Sequence, residues 1–104
     1  MTIRRGDVCW YDDGHRRRPV AVLTRDSAIP LLSRVMVAPA TTTLRGGPSE
    51  VRLTPADGMK AECVLSLDNV RVVPKRALKG RITSLNPQRL EELCEAVRYT
   101  LGCD

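Results

Sequence analysis

The most distinctive chemical feature of the chain is a run of three arginines, Arg16 to Arg18, followed directly by Pro19 and a short apolar stretch. Arginine carries a planar guanidinium that stays charged and binds phosphate groups well. The apolar stretch at residues 20–23 predicts a buried strand, and Pro19 suits its first position because proline has no N–H to donate. We therefore expect Arg18 at the edge of a rigid strand, with Arg16 and Arg17 in the preceding loop. The alternative interpretation is three solvated loop arginines.

A second set of polar side chains stands at predicted strand ends and in one loop. The set consists of His15, Thr41, Thr42, Thr43, Asp68 and Asn69. Each member also has an ordinary structural explanation, because threonines favour strands, Asp–Asn pairs favour turns and a loop histidine can be solvated. The chain has a single histidine and shows no Ser/His/Asp or Cys/His arrangement. The glycine pair at residues 46–47 lacks the motif of a phosphate-binding loop and is better explained as a turn.

Length and charge restrict the class of protein and its partners. A chain of 104 residues is expected to form one domain, residues 1–104, with a single modest core. It has 17 Lys and Arg against 12 Asp and Glu, which gives a formal charge of +5. This charge favours nucleic acid, an acidic polypeptide or anionic lipid as partners. Only three residues are Trp or Tyr and none is Phe, so contacts with nucleic acid would depend on arginine and backbone rather than on base stacking.

The sequence gives no sign of secretion, membrane insertion or metal binding. Residues 1–5 are charged without an apolar segment behind them, and no apolar run approaches the length of a membrane span. The four cysteines, Cys9, Cys63, Cys94 and Cys103, include no CxxC pair and have no neighbouring histidine. We therefore expect a cytoplasmic protein without a zinc site, in which the cysteines are core or surface thiols.

Short apolar stretches separated by turn residues predict a mainly β fold. The expected strands cover residues 6–11, 20–23, 34–41, 50–53, 62–67, 70–73 and 81–83. Pro39 implies a bulge or an edge near the end of the third strand. A C-terminal helix is expected after Asn86 and Pro87, ending at Gly102, with apolar residues at helical spacing between them. The result is a small, strongly bent sheet or barrel closed by one helix.

Five blocks of the chain resemble one protein family in order and spacing. The blocks are residues 5–8 (RGDV), 18–26 (RPVAVLTRD), 37–43 (VAPATTT), 63–71 (CVLSLDNVR) and 80–82 (GRI). Each block alone is a weak signal, but together they extend over nearly the whole chain and resemble the MazF/PemK (Kid) family, the sequence-specific endoribonucleases of bacterial toxin–antitoxin pairs. The family fold is an SH3-like barrel with a C-terminal helix, and it forms a homodimer. This fold agrees with the strands and the helix expected from the sequence pattern.

The resemblance implies cleavage of single-stranded RNA without metal or cofactor. A ribose 2′-hydroxyl attacks the adjacent phosphate, giving a 2′,3′-cyclic phosphate and a 5′-hydroxyl. Arg18 matches the family's catalytic arginine, whose permanent charge suits stabilisation of the phosphorane. Thr41 matches its catalytic threonine. The proton acceptor stays open between His15 and Asp68, which matches the base of the PemK/Kid branch, where an arginine stands at the position of Ser66.

The resemblance also implies RNA, with messenger RNA the expected substrate, and a cognate antitoxin with an acidic C-terminal segment as partners. The loops at residues 12–17 and 44–49 are expected to read the bases. Further RNA contacts are expected from Arg16, Arg17, Thr42, Thr43, Arg45 and Asn69. A homodimer would carry twice the charge of +5 and would attract both partners. Two alternatives are a non-catalytic toxin like the gyrase-poisoning CcdB and a basic RNA-binding barrel without catalysis.

Overall fold

A computed structural model describes residues 2–103, in which seven strands precede one C-terminal α-helix. The elements are β1 (Asp7–Asp12), β2 (Arg17–Val22), β3 (Arg34–Thr41), β4 (Glu50–Leu53), β5 (Cys63–Ser66), β6 (Arg71–Pro74), β7 (Leu78–Ser84) and α1 (Pro87–Leu101). Short 3-10 turns lie between several strands, among them Leu67–Asn69 between β5 and β6. Every strand expected from the sequence is present, although several bounds differ by a few residues.

Strand β3 is the centre of the sheet because it pairs with three other strands. The antiparallel order is β4-β5-β3-β2-β1-β7, and β6 pairs with β3 outside this path. Along one edge of β3, residues 34–37 pair with β6 and residues 40–41 pair with β5. Pro39 lies where this edge changes partner, and it pairs with Val20 of β2 in an unbroken register. Of the bulge or edge expected near Pro39, the bulge is absent from the β2–β3 pair, and Pro39 instead lies between the two segments of β3 that pair with β6 and with β5. The register shifts lie between β1 and β7.

The start of β2 corrects the expected position of the arginines. Arg17 pairs with Asp12 of β1, Arg18 pairs with Tyr11, and Pro19 is the third residue of the strand rather than its first. Cross-strand pairing with β1 extends β2 towards the N-terminus, an effect that the local sequence does not reveal. Arg17 and Arg18 therefore both stand on a strand, and only Arg16 precedes it.

Two apolar clusters cover the two faces of strands β1 to β3. One cluster lies beneath α1 and includes Val8, Leu65 and Leu93, while the other includes Cys9 and Val22. Strands buried on both faces need nearly continuous apolar residues, which explains the run at residues 20–23. Burial raises the pKa of the Cys9 thiol to about 11, so Cys9 behaves as a small apolar core residue.

Helix α1 has the ends that its sequence predicts. The Asn86 side chain accepts a hydrogen bond from the backbone N–H of Arg89 at 2.9 Å, and Pro87 occupies the first turn. Gly102 ends the helix in the left-handed conformation, with φ of +70°. The mainly β fold with one C-terminal helix is confirmed. None of the helices within residues 2–103 has the length and apolar character needed to span a membrane.

A carboxylate beneath α1 ties the helix to the β4–β5 connection. Asp57 accepts hydrogen bonds from Arg89 Nε at 3.0 Å and from the Thr54 backbone N–H at 2.9 Å. Burial alone raises the pKa of the Asp57 carboxyl, but these hydrogen bonds outweigh burial and the net pKa lies below its usual value. Asp57 therefore stabilises the fold above its ordinary pKa of about 4, and this stabilisation is lost as the pH falls through its lower folded pKa.

Replacing Asp57 with asparagine is expected to lower the free energy of unfolding at pH 7 by about 1–3 kcal/mol, because a charge-assisted hydrogen bond is lost. The difference from wild type should shrink as the pH falls below about 4, because the Asp57 carboxyl is then protonated first in the unfolded state and, at lower pH, in the folded state too. Urea unfolding at several pH values measures this difference in the free energy of unfolding. Glu62→Gln is the control, because Glu62 pairs with Arg52 on the exposed surface. A difference for Asp57→Asn that does not change with pH would contradict the assignment.

Candidate active site

A basic cleft of about 690 Å³ lies where β2, β3 and the end of β5 meet. Its walls come from four parts of the chain: the start of β2, the end of β3, the loop after β3 and the turn after β5. The lining residues are Arg16, Arg17, Arg18, Pro39, Ala40, Thr41, Thr42, Thr43, Arg45, Glu50, Ser66, Asp68, Asn69 and Arg71. Five guanidiniums therefore face two carboxylates, so the cleft favours an anionic ligand.

The β2 wall provides the most rigidly placed positive charge. Arg18 is half-buried on the strand, and within residues 2–103 no carboxylate lies within ion-pair distance of its guanidinium. Arg17 is more exposed and contacts Asp12, with 3.8 Å between Nε and Oδ2. Arg18 can therefore give its full charge and its two-pronged donor geometry to a phosphate.

The β3 wall ends in the three threonines. Thr41 is half-buried at the last position of β3, and its hydroxyl accepts a hydrogen bond from the backbone N–H of Thr43 at 3.2 Å. The next loop folds back on Glu50, whose carboxylate accepts hydrogen bonds from the backbone N–H groups of Arg45 and Gly46. Accepting the Thr43 N–H leaves the Thr41 O–H free to donate to a ligand in the cleft.

The third wall is the 3-10 turn Leu67–Asn69 at the end of β5. Asp68 and Asn69 are exposed to the cleft, and each side chain is hydrogen-bonded to a serine. Ser49 Oγ donates to Asp68 Oδ2 at 2.5 Å, and Asn69 Nδ2 donates to Ser66 Oγ at 2.8 Å. A carboxylate and an amide are thus held on the side of the cleft that faces the arginines.

The structure brings nearly all of the residues expected from the sequence into this one cleft. Only His15 is outside the lining: it is exposed on the preceding turn, where the Asp13 carboxylate accepts the backbone N–H groups of His15 and Arg16. The hydrogen bonds from Arg16 and His15 hold the pKa of the Asp13 carboxyl below its usual value. This bonding orders the turn and directs Arg16 to the cleft. The role of His15 stays a prediction.

Sequence reasoning missed four residues that shape the site. Arg71 and Glu50 line the cleft, Ser66 lines it and also holds Asn69, and Ser49 lies behind Asp68. For Arg71 a signal was present, since it is the last residue of the block at 63–71 that resembles the family. No local motif marks the other three: Ser49 contacts Asp68, which is 19 positions away, and the short-range contacts of Ser66 and Glu50 form only in the folded turn and loop.

Comparison with known proteins identifies relatives along nearly the whole chain. Residues 4–101 match the family described as PemK-like, MazF-like toxin of type II toxin-antitoxin system. In Mycobacterium tuberculosis, the protein named Probable endoribonuclease MazF2 is 38% identical over 102 residues, which cover 97% of this chain and 100% of the relative. Probable endoribonuclease MazF5 of the same species is 42% identical over 101 residues, which cover 95% of this chain and 93% of the relative.

Solved structures share the fold. Mycobacterium tuberculosis toxin MazF-mt6 has a TM-score of 0.86 at 33% identity, and the match covers 94% of this chain and 98% of that chain. An endoribonuclease in complex with its cognate antitoxin from a mycobacterial species has a TM-score of 0.89 at 22% identity, covering 99% and 98%. The second likeness concerns the fold alone.

In its fold and in the composition of its cleft, the protein is a small toxin of the SH3-like barrel class. More particularly, the chain belongs to the PemK-like, MazF-like family of toxins from type II toxin–antitoxin systems. The predicted family, fold class and enzyme class are thereby confirmed. A CcdB-like protein binder and a non-catalytic RNA-binding barrel are not favoured, because the named relatives are endoribonucleases.

Proposed function

We propose that the cleft described above is the site at which this protein cleaves RNA. The chain is an endoribonuclease of the MazF type, and it cleaves single-stranded RNA in this cleft without metal or cofactor. The observation that carries the proposal is that Arg18, Thr41 and Asp68, which come from three separate parts of the sequence, line the same cavity. Residues 1–104 act as one domain.

The reaction is a transfer of the phosphodiester within the RNA. The ribose 2′-oxygen attacks the adjacent phosphorus and gives its proton to the Asp68 carboxylate. The bond from phosphorus to the 5′-oxygen breaks, leaving a 2′,3′-cyclic phosphate, and the 5′-oxygen takes a proton from water. Arg18 stabilises the negative charge of the phosphorane, and the Thr41 hydroxyl donates to one of its non-bridging oxygens.

Asp68 is the best placed of the candidate bases. Its Oδ2 accepts the Ser49 hydroxyl, while its Oδ1 accepts no hydrogen bond from any residue of the described chain. The Glu50 carboxylate is already occupied by the backbone N–H groups of Arg45 and Gly46. His15 lies outside the lining of the cleft in a single protomer. A free carboxylate oxygen opposite the arginines therefore supports Asp68 as the proton acceptor.

Binding of the RNA depends on the remaining lining residues. The exposed groups that can contact phosphates or splayed bases are Arg16, Arg17, Thr42, Thr43, Arg45 and Asn69. With three aromatic residues in the chain, bases are read by hydrogen bonds rather than by stacking. Messenger RNA in the cytoplasm is the proposed substrate. An acidic C-terminal segment of the cognate antitoxin competes for the same positive charge.

Incubation of the purified protein with a long unstructured RNA in EDTA tests the proposal. We expect discrete cuts at one short motif, with 2′,3′-cyclic phosphate and 5′-hydroxyl ends. An oligonucleotide with 2′-deoxyribose on the 5′ side of the cut should bind but remain intact, because it lacks the attacking hydroxyl. Cleavage of that oligonucleotide, or cleavage that requires added Mg²⁺, would contradict the mechanism.

The active form is proposed to be a homodimer built on the outer face of β3 and β6. Met36 and Val72 are paired across these strands and are 44% and 51% exposed. Within residues 2–103, β6 pairs with β3 alone, so its other edge is open to a second copy. Exposed Leu31 and Leu32 precede β3 and add apolar surface. Because Arg71 lines the cleft and Val72 is its neighbour, this interface would adjoin the cleft.

Replacing Val72 with glutamate is expected to convert the dimer to a monomer, since a charge is costly in a buried apolar interface. Light scattering coupled to size-exclusion chromatography measures the molecular mass. Tyr99→Glu is the matched control, because Tyr99 is also exposed but lies on α1. If Val72→Glu stays dimeric, or if Tyr99→Glu alone dissociates, the interface is elsewhere.

A further inference from the structure

Buried polar residues are concentrated beneath the cleft. Within residues 2–103, the polar or charged residues that are almost fully buried are Asp7, Ser49 and Ser66. Asp7 lies at the start of β1, whereas each of the two serines contacts a residue of the turn after β5. Burying a hydroxyl is unfavourable unless it makes a hydrogen bond, so the partner of each serine indicates its role.

Ser49 is hydrogen-bonded to the turn Leu67–Asn69 through both its backbone and its side chain. Its carbonyl accepts the backbone N–H of Leu67 at 3.0 Å, and its hydroxyl donates to Asp68 Oδ2 at 2.5 Å. The second contact is a short hydrogen bond between a hydroxyl and a carboxylate oxygen. It restricts rotation of the Asp68 side chain and leaves Oδ1 available for a proton.

Ser66 makes the complementary contact one residue further along. Its hydroxyl accepts from Asn69 Nδ2 at 2.8 Å, which leaves Asn69 Oδ1 and the second N–H of the amide available to a ligand. Ser66 is the last residue of β5 and pairs with Glu50, the residue after Ser49. The two serines are therefore held by neighbouring positions of the β4–β5 pair, one behind each exposed side chain.

We propose that Ser49 and Ser66 are positioning residues with separate effects on the reaction. Ser49 holds the Asp68 carboxylate in place for proton transfer, and Ser66 holds the Asn69 amide in place for contact with a nucleotide. This division rests on the proposed function, in which Asp68 accepts the proton of the 2′-hydroxyl.

The two alanine variants are expected to affect different kinetic constants. Ser49→Ala should lower kcat by about 10–100-fold, because small misplacements of a catalytic group have effects of this size. Its KM, and its affinity for the uncleavable 2′-deoxy oligonucleotide, should stay within about twofold of wild type, because no contact to RNA is removed. Ser66→Ala should weaken binding of that oligonucleotide by roughly fivefold, the value of one hydrogen bond, and leave kcat nearly unchanged.

A double-mutant cycle separates positioning from a general structural effect. Single-turnover rates at excess enzyme are measured for Ser49→Ala, Asp68→Ala and the double variant. If Ser49 acts through Asp68, Ser49→Ala has little further effect once Asp68 is absent. An equal effect of Ser49→Ala in both backgrounds, or an unchanged kcat in the single variant, would overturn the assignment. Equal losses of kcat and affinity in both serine variants would overturn the division of roles.

The Asp68→Ala variant distinguishes an error in the proposed function from an error in the roles of the serines. If Asp68→Ala alone retains the wild-type rate, Asp68 is not the base, whatever the serine variants do. Thermal unfolding accompanies each measurement, and the serine variants should unfold close to wild type because Asp68 and Asn69 remain exposed to water. A variant that does not fold is replaced by the cysteine substitution at the same position, which retains a weak donor at residue 49 and a weak acceptor at residue 66, and the same measurements are repeated.

Discussion

Replacing Arg18 with alanine is expected to lower kcat/KM for RNA cleavage by about 10²–10³-fold, the effect of removing one preorganised donor from a developing anion. The guanidinium is half-buried on β2, and none of the described carboxylates lies within ion-pair distance of it. No carboxylate of the described residues therefore offsets its charge before RNA binds. The loss should appear mainly in kcat, because other arginines still bind the RNA. Single-turnover cleavage and binding of the 2′-deoxy oligonucleotide separate the two effects.

Two further substitutions make the result specific. Arg18→Lys retains the charge but loses the two-pronged donor geometry of the guanidinium, so it should recover only part of the cleavage rate. Arg25→Ala is the control, because Arg25 is an exposed arginine beyond the other end of β2 and outside the cleft. The circular dichroism of all three variants should match wild type. Wild-type cleavage by folded Arg18→Ala would exclude Arg18 as the source of phosphorane stabilisation.

Replacing Leu93 with alanine is expected to lower the free energy of unfolding by about 2–5 kcal/mol. Leu93 is fully buried on the inner face of α1 and belongs to the cluster that contains Leu53 and Leu65. Truncation leaves a cavity between the helix and the sheet that the surrounding packed side chains cannot fully fill. For a domain of this size, a loss of this magnitude is a large part of the total stability.

Urea unfolding at one fixed protein concentration measures the change, because dimerisation would otherwise shift the midpoint. Leu101→Ala is the matched control: it makes the same truncation on the same helix, but Leu101 is 68% exposed. Its effect should stay within about 0.5 kcal/mol. Equal losses for both variants would contradict a packing role for Leu93, because Leu→Ala does not lower helix propensity at either position.

The features that the sequence predicted well are those encoded by neighbouring residues. The capping of α1 by Asn86 and Pro87 depends on a few adjacent positions, as does the apolar run of β2. Arg18 and Thr41 were assigned by matching short blocks to a family, and both line the cleft. Each of these features is encoded within a few neighbouring residues, so it can be recognised in the sequence alone.

The features that were missed depend on contacts that residue types alone do not indicate. The placement of Arg17 within β2 follows from its pairing with Asp12, and the ordering of the loop after β3 follows from the Glu50 carboxylate. The hydrogen bond from Ser49 to Asp68 joins residues 19 positions apart. Serine is common in loops, so its type alone does not indicate a partner. Only the folded sheet brings these groups together.

The pairing of β1 with β7 has a consequence for synthesis of the protein. Asp7 of β1 is paired with Ser84 of β7, and the Ser84 hydroxyl donates to the Asp7 carboxylate at 2.7 Å across 77 positions of sequence. A growing polypeptide therefore cannot close its sheet until almost the whole chain has left the ribosome, and such distant contacts make folding slow. A product truncated before residue 78 would keep one edge of β1 open, and open strand edges promote association. Premature termination is expected to yield insoluble fragments rather than a weakened nuclease, as fractionation of truncated translation products would show.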